Sequence, residues 1–228
     1  MFFFYDPASF LVLLPAIALA VYAQWKVSST FRKFSEIRAS TGYTGAQIAT
    51  ELLRRNGITN VKVEPVQGVL SDYYDPRGKV LRLSPDVYGS DSIAAIGVAA
   101  HETGHALQDK SNYPALALRS AIVPLASFGT TAAWILFLIG LITSAPRLMD
   151  LGILIFLGYV AFAIITLPVE FNASSRAVAQ LTGQGLVLPQ EADGVRAVLN
   201  AAALTYVAAA AMAVLQLVRL IILRNSRD

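Results

Sequence analysis

Long apolar runs alternate with polar segments along this chain. Four runs carry few or no charges, and each is long enough to cross a hydrocarbon core of about 30 Å as a helix. They are residues 8–25, 120–142, 151–169 and 201–223. The last run contains Gln216 and Arg219, so its end is expected to reach the membrane interface or lie along it. The pattern predicts a mainly α integral membrane protein with about four transmembrane helices.

The polar segment between the first two runs predicts a small α+β region. Residues 46–55 follow an amphipathic helical pattern between Thr44, which can cap the start, and Gly57, which can end it. Residues 61–64 alternate between polar and apolar positions, as a strand does. This segment therefore begins with a helix followed by a strand.

A β-hairpin is predicted next. A turn signal at residues 74–78 separates an arm at residues 69–73 from an alternating arm at residues 79–83. Such a hairpin either covers the helix that follows or holds an extended peptide along its exposed edge. The residues leave both interpretations open.

The strongest chemical signal lies on the helix predicted for residues 93–108, which Ser90-Asp91-Ser92 can cap and whose apolar residues predict burial. His101, Glu102 and His105 form His-Glu-x-x-His, so both imidazoles lie on one helix face. They are the two histidines of the chain. The spacing predicts a zinc site in which Glu102 takes a proton from a zinc-activated water.

Composition narrows the class of protein. Of the 228 residues, 55% are hydrophobic and 14% are charged, against about 25% charged in soluble domains. The net charge of +3 is too small to suggest nucleic acid, and the absence of cysteine excludes thiolate ligands. Basic residues follow the first apolar run rather than precede it, which favours a retained anchor with its N-terminus outside over a cleavable signal peptide.

A catalytic zinc ion normally takes three protein ligands, and the third here has to be Asp or Glu. Asp109 lies one more turn along the motif helix, too far down the axis to share the metal, and is expected to serve as an outer acceptor. Glu170 follows the third apolar run, so two spans return it to the membrane side of His105. It is the predicted ligand, and a solvated interfacial Glu or a pair with Arg176 is the alternative.

Four stretches resemble the membrane-bound neutral zinc metallopeptidases of the YugP type, a gluzincin-like family. They are GVLSDYYDP at 68–76, VAAHETGHALQ at 98–108, LPVEFNAS at 167–174 and AAALTY at 201–206. The resemblance implies that His101, His105 and Glu170 bind one zinc ion (Zn2+) per chain and that Glu102 is the catalytic residue. Tyr73 departs from the family pattern, in which we expect His after the Asp.

Other polar residues are weaker candidates for the same site. Tyr206, Arg176 and Tyr73 are candidate donors to an oxyanion or to substrate, although each is more often structural. Asn172 and Ser174 are expected to orient Glu170 or the histidine rings from outside the ligand set.

The predicted organisation has five parts. They are an N-terminal transmembrane anchor at 1–25, a zincin-like catalytic region at 26–119, a transmembrane pair at 120–169, a third-ligand helix and loop at 170–200, and a C-terminal transmembrane helix and tail at 201–228. The predicted function is a multi-pass zinc endopeptidase of the cell membrane that acts on protein or peptide substrates at the cytoplasmic side. The alternatives are a membrane scaffold or chaperone-like protein with a structural or vestigial zinc site, and a zinc amidase with a non-protein substrate. The sequence indicates neither the substrate nor the oligomeric state.

Overall fold

The computed structural model describes residues 7–226, of which 75% are helical. In chain order the elements are α1 (Pro7–Leu11), α2 (Leu14–Ser35), α3 (Gly45–Arg55), β1 (Lys62–Pro65), β2 (Tyr73–Asp75), β3 (Val80–Leu83), α4 (Pro85–Tyr88), α5 (Ile93–Lys110), α6 (Pro114–Thr143), α7 (Pro146–Gly183) and α8 (Pro189–Asn225). The predicted fold class, mainly helical with a small sheet, is confirmed. The outermost residues of the predicted anchor and tail, 1–6 and 227–228, lie outside the described residues.

Four helical segments are long and apolar enough to cross a membrane. They are Ser9–Ser35, Ala126–Thr143, Pro146–Gly183 and Pro189–Asn225. Two of these helices continue well past the apolar runs that predicted them, α2 to Ser35 and α7 to Gly183. Residues 26–35 and 170–182 contain no Gly or Pro that would stop them. The segment predicted to begin at residue 170 is therefore a continuation of α7, which runs unbroken to Gly183.

The described residues form two compact units, of which one comprises residues 7–24, 117–168 and 205–226. Within it α6 and α7 pack through glycines. A Cβ on Gly152 would meet the Ala133 carbonyl oxygen at 2.7 Å, and one on Gly140 would meet the Met149 nitrogen at 2.7 Å. Phe137 and Met149 are almost fully buried beside these contacts. Close backbone approach through small residues is the usual way in which helices associate in a lipid environment.

The second unit comprises residues 25–116 and 169–204. Its first helix after α2 is α3, which begins at a capping box formed by Thr44 and Gln47, as the sequence predicted for Thr44. Gly57 follows the helix with a φ of 63°, a conformation that glycine adopts at low cost. The apolar face of α3, with Ile48 and Leu52 fully buried, contributes to the same core as α5.

The sheet of this unit has the strand order β1-β3-β2, with β1 parallel and β2 antiparallel to β3. The predicted hairpin is present, but its first arm is Tyr73–Asp75, and the prediction of a strand at residues 69–72 is wrong. The physical reason is the backbone before Tyr73. Gly68 and Leu70 have φ values of 112° and 52°, which an extended strand cannot accommodate.

Helix α5 passes through the middle of the second unit. The hydroxyl of Ser92 caps it by accepting from the Ala95 nitrogen at 3.2 Å, as predicted. Most of its side chains are buried, since α5 contributes residues to three apolar clusters of this unit. Gly104 lies so close to α7 that an added Cβ would meet the Ala173 carbonyl oxygen at 2.5 Å.

This contact generates a prediction about stability. Gly104→Ala should destabilise the protein, because a steric cost of about 1–3 kcal/mol exceeds the gain of up to about 1 kcal/mol that Ala brings to a helix. Thermal unfolding in detergent measures the difference. Gly183→Ala is the matched control, since a Cβ there would meet nothing within 4 Å. A Gly104→Ala protein as stable as the wild type would show that α5 and α7 do not need this close approach.

Candidate metal centre

Two histidines on α5 face the same direction. The rings of His101 and His105 have centroids 4.8 Å apart and stand edge to face, with an angle of 86° between their planes. This follows from their spacing of one helical turn. Both side chains are largely shielded, with exposed fractions of 13% and 10%. The pair therefore lies below the surface of the unit.

Glu170 reaches the same point from α7. Its Oε2 atom lies 3.2 Å from Nε2 of His101 and 3.5 Å from Nε2 of His105. One ligand atom from each of the three residues lies within 4.8 Å of the others. Glu170 is 2% exposed, so its carboxylate is held against the two imidazoles rather than in water. The structure brings together the three residues that the sequence proposed as a ligand set.

The donor chemistry of this cluster fits zinc. Two imidazole nitrogens and one carboxylate oxygen form a ligand set found in catalytic zinc sites, where a fourth position is left for water or substrate. Calcium and magnesium favour sites built from oxygen alone, so the imidazole pair disfavours them. The cluster can therefore hold a divalent metal ion of the zinc type.

Each imidazole has a second partner at Nδ1. Nδ1 of His101 lies 3.1 Å from the Ser174 hydroxyl, and Nδ1 of His105 lies 3.0 Å from Oε1 of Gln108. Ser174 was predicted as an outer partner. Gln108 was not, although its position three residues after His105 on a buried helix could have indicated it. Both Nε2 atoms consequently face Glu170.

Gln108 is fully buried and connects α5 to α7. Its Nε2 donates to the carbonyl of Val169 at 2.8 Å and to Oδ1 of Asn172 at 3.0 Å. Oδ1 of Asn172 also accepts from Nε of Arg176 at 2.7 Å. Asn172 is thus an outer residue of the site, and its contact with His105 passes through Gln108.

Glu102 is buried and directly follows His101 in the chain. Burial raises the pKa of its carboxyl, and the neighbouring His101 and His105 oppose part of that rise. For His105, burial acts against the charged form, but its contact with Glu170 prevails and raises its pKa. A carboxylate with a raised pKa beside a cationic group is the arrangement expected of a general base.

The remaining predicted residues have other partners. Asp109 accepts from the Tyr74 hydroxyl and from Nζ of Lys79, both at 2.5 Å. Burial raises the pKa of Tyr74, and its hydrogen bond to Asp109 raises it further. Among the described residues, both side-chain partners of Asp109 belong to the hairpin, and its predicted role as an outer acceptor of the site stays a prediction. Tyr73 accepts from Arg82 across the same hairpin.

The other two candidate donors differ in their surroundings. The guanidinium of Arg176 donates to Asn172 and lies 5.8 Å from the centre of the Tyr113 ring. Tyr206 lies on α8 in the unit that contains the apolar segments. Their roles toward substrate stay predictions.

Comparison with known proteins agrees with this geometry. A family profile described as "Putative neutral zinc metallopeptidase" matches residues 9–225. The chain is 49% identical to "Putative membrane protease YugP" of Bacillus subtilis (strain 168) over 214 residues, which cover 93% of this chain and 95% of that protein. No solved structure matches the chain significantly. The matched region includes the two histidines and Glu170, and the chain therefore belongs to this family of neutral zinc metallopeptidases.

Proposed function

We propose that the protein is a membrane zinc endopeptidase in which His101, His105 and Glu170 hold one zinc ion per chain and Glu102 is the general base. The observation that carries the proposal is the convergence of the three ligand atoms within 4.8 Å, with the buried carboxylate of Glu102 close enough to interact with both imidazoles. Family membership supports peptide bonds as the substrate class.

Bound zinc would supply a Lewis acid that activates water and polarises the substrate carbonyl. Glu102 then accepts the proton of the attacking water. Burial raises the pKa of its carboxyl toward neutral pH, which makes it a stronger base than an exposed carboxylate. The same carboxyl delivers that proton to the amine that leaves when the peptide bond breaks. Burial of the site excludes bulk water, which strengthens the interaction of Glu102 with the charges that develop.

We also propose that the site opens on the cytoplasmic side. Most basic residues outside the apolar runs lie in the segments at 26–119 and 170–200, and this bias is typical of cytoplasmic segments. The four apolar helices indicate a lipid environment. A peptidase with this arrangement would act on peptide segments near the inner face of the membrane.

Glu102→Gln tests the general base. The variant should retain zinc, because Glu102 is not in the proposed ligand set, and should lose at least about 100-fold in peptidase activity, because an amide cannot accept the proton. Casein cleavage and metal content of the purified protein measure both properties. Equal cleavage by the variant and the wild type would exclude Glu102 as the base. Zinc binding with no cleavage by either protein would favour the scaffold or amidase alternative.

Glu170→Ala tests the third ligand. Zinc affinity should fall by more than the roughly 10–100-fold that is typical of changes outside the ligand set. Competition with a chromophoric chelator measures it. Asp109→Asn is the matched control, since the described side-chain partners of Asp109 are Tyr74 and Lys79 of the hairpin, and the change should leave zinc affinity unchanged. Full zinc affinity in Glu170→Ala would remove Glu170 from the site.

The absence of cysteine allows a direct test of the membrane side. Single cysteines introduced at Arg77, in the exposed turn of the hairpin, and at Arg147, in the first turn of α7, should react differently with a membrane-impermeant maleimide. Intact cells should label Arg147→Cys alone, and permeabilised cells should label both variants. Labelling of Arg77→Cys in intact cells would place the site outside.

A further inference from the structure

The hydrogen bonds of Gln108 have a fixed direction. The carbonyl oxygen of Val169 can only accept, so the group of Gln108 that lies 2.8 Å from it has to be the amide NH2. Nε of Arg176 can only donate, so Asn172 faces both Arg176 and Gln108 with its oxygen. A second acceptor therefore faces the NH2 of Gln108 and gives the same orientation.

This direction determines the state of His105. Because the NH2 of Gln108 faces α7, its carbonyl oxygen faces Nδ1 of His105 at 3.0 Å. An oxygen that can only accept requires a hydrogen on Nδ1. Nε2, which lies 3.5 Å from Oε2 of Glu170, is then the nitrogen that would bind a metal ion. The position of the hydrogen on His105 therefore follows from its hydrogen-bond partner and not from the orientation of the ring alone.

The other histidine lacks such a constraint. Nδ1 of His101 lies 3.1 Å from the Ser174 hydroxyl, which can either donate or accept. Ser174 is therefore compatible with both tautomers of His101, whereas Gln108 is compatible with only one state of His105 at Nδ1. The two ligands differ in how firmly the protein selects the metal-binding nitrogen.

We propose that Gln108 is a positioning residue that holds the proton of His105 on Nδ1, presents Nε2 to the metal ion, and ties this ligand to the α7 segment that carries Glu170. The zinc part of the proposal rests on the proposed function. The protonation of Nδ1 does not, because it follows from hydrogen bonds present without the metal.

The test uses the full-length protein in detergent, with the histidine rings labelled with 15N. Since the chain has two histidines, a long-range 1H–15N spectrum contains two rings, and His101→Ala assigns them. His105 should carry its hydrogen on Nδ1 both before and after zinc is added. An unprotonated Nδ1 on His105 in the wild type would overturn the proposal, whether or not zinc binds.

Gln108→Met supplies the second arm, because Met has a similar volume and neither of the two hydrogen-bonding groups. Without this acceptor, the hydrogen of His105 should no longer be confined to Nδ1. Zinc affinity should fall by roughly 10–100-fold. The matched control is Gln180→Met, a glutamine of the same unit whose Oε1 accepts from Asn56 at 2.8 Å, away from the metal ligands. Gln180→Met should change neither property.

The outcomes separate the two proposals. If Gln108→Met shows the same His105 spectrum and the same zinc affinity as Gln180→Met, the positioning role is rejected. A wild type that binds no zinc but has a protonated His105 Nδ1 would reject the proposed function and leave the hydrogen-bond assignment standing. If Gln108→Met fails to fold, the wild-type spectrum alone decides the assignment.

Discussion

The close approach of α5 and α7 is the constraint on which the metal centre depends. Gly104 has no Cβ, so its backbone can lie against the carbonyl of Ala173. The contacts that build the centre cross this helix pair: the two imidazoles meet Glu170, His101 meets Ser174, and Gln108 meets Val169. A slip of one helical turn, about 5.4 Å, would separate all of these partners at once. The rigidity of the ligand set therefore depends on the packing of α5 against this part of α7.

Without a bound cation, the buried carboxylates of this region destabilise the folded protein. Glu102 and Glu170 are both buried, and a buried carboxylate is destabilising unless it is paired. Two imidazoles offset this cost in the metal-free chain, and the raised pKa of His105 reflects that compensation. Two carboxylates beside neutral imidazoles match the charge of one divalent ion, so the local charge balance is consistent with the proposed zinc site.

One of the helices predicted to span the membrane, α7, also contributes residues to the site. Glu170 lies on α7, the same unbroken helix that contains the third apolar run, and not on a separate segment after it. Asn172, Ser174 and Arg176 follow on this helix and supply the outer hydrogen bonds. A ligand placed on a packed helix is held more exactly in position than one on a loop, which suits a site that has to present three donors to one ion.

The sequence by itself determined the apolar segments, the capped helices at Thr44 and Ser92, and the His-Glu-x-x-His motif, because each depends on local periodicity or capping chemistry. It also indicated Glu170 through the edge of an apolar run. Only the tertiary structure decided the loop before Tyr73, the hairpin partners of Asp109 and the hydrogen-bond partners of Gln108. These features depend on contacts between residues far apart in the chain: the buried amide of Gln108 has its direction set by a carbonyl on α7, and no local pattern encodes that partner.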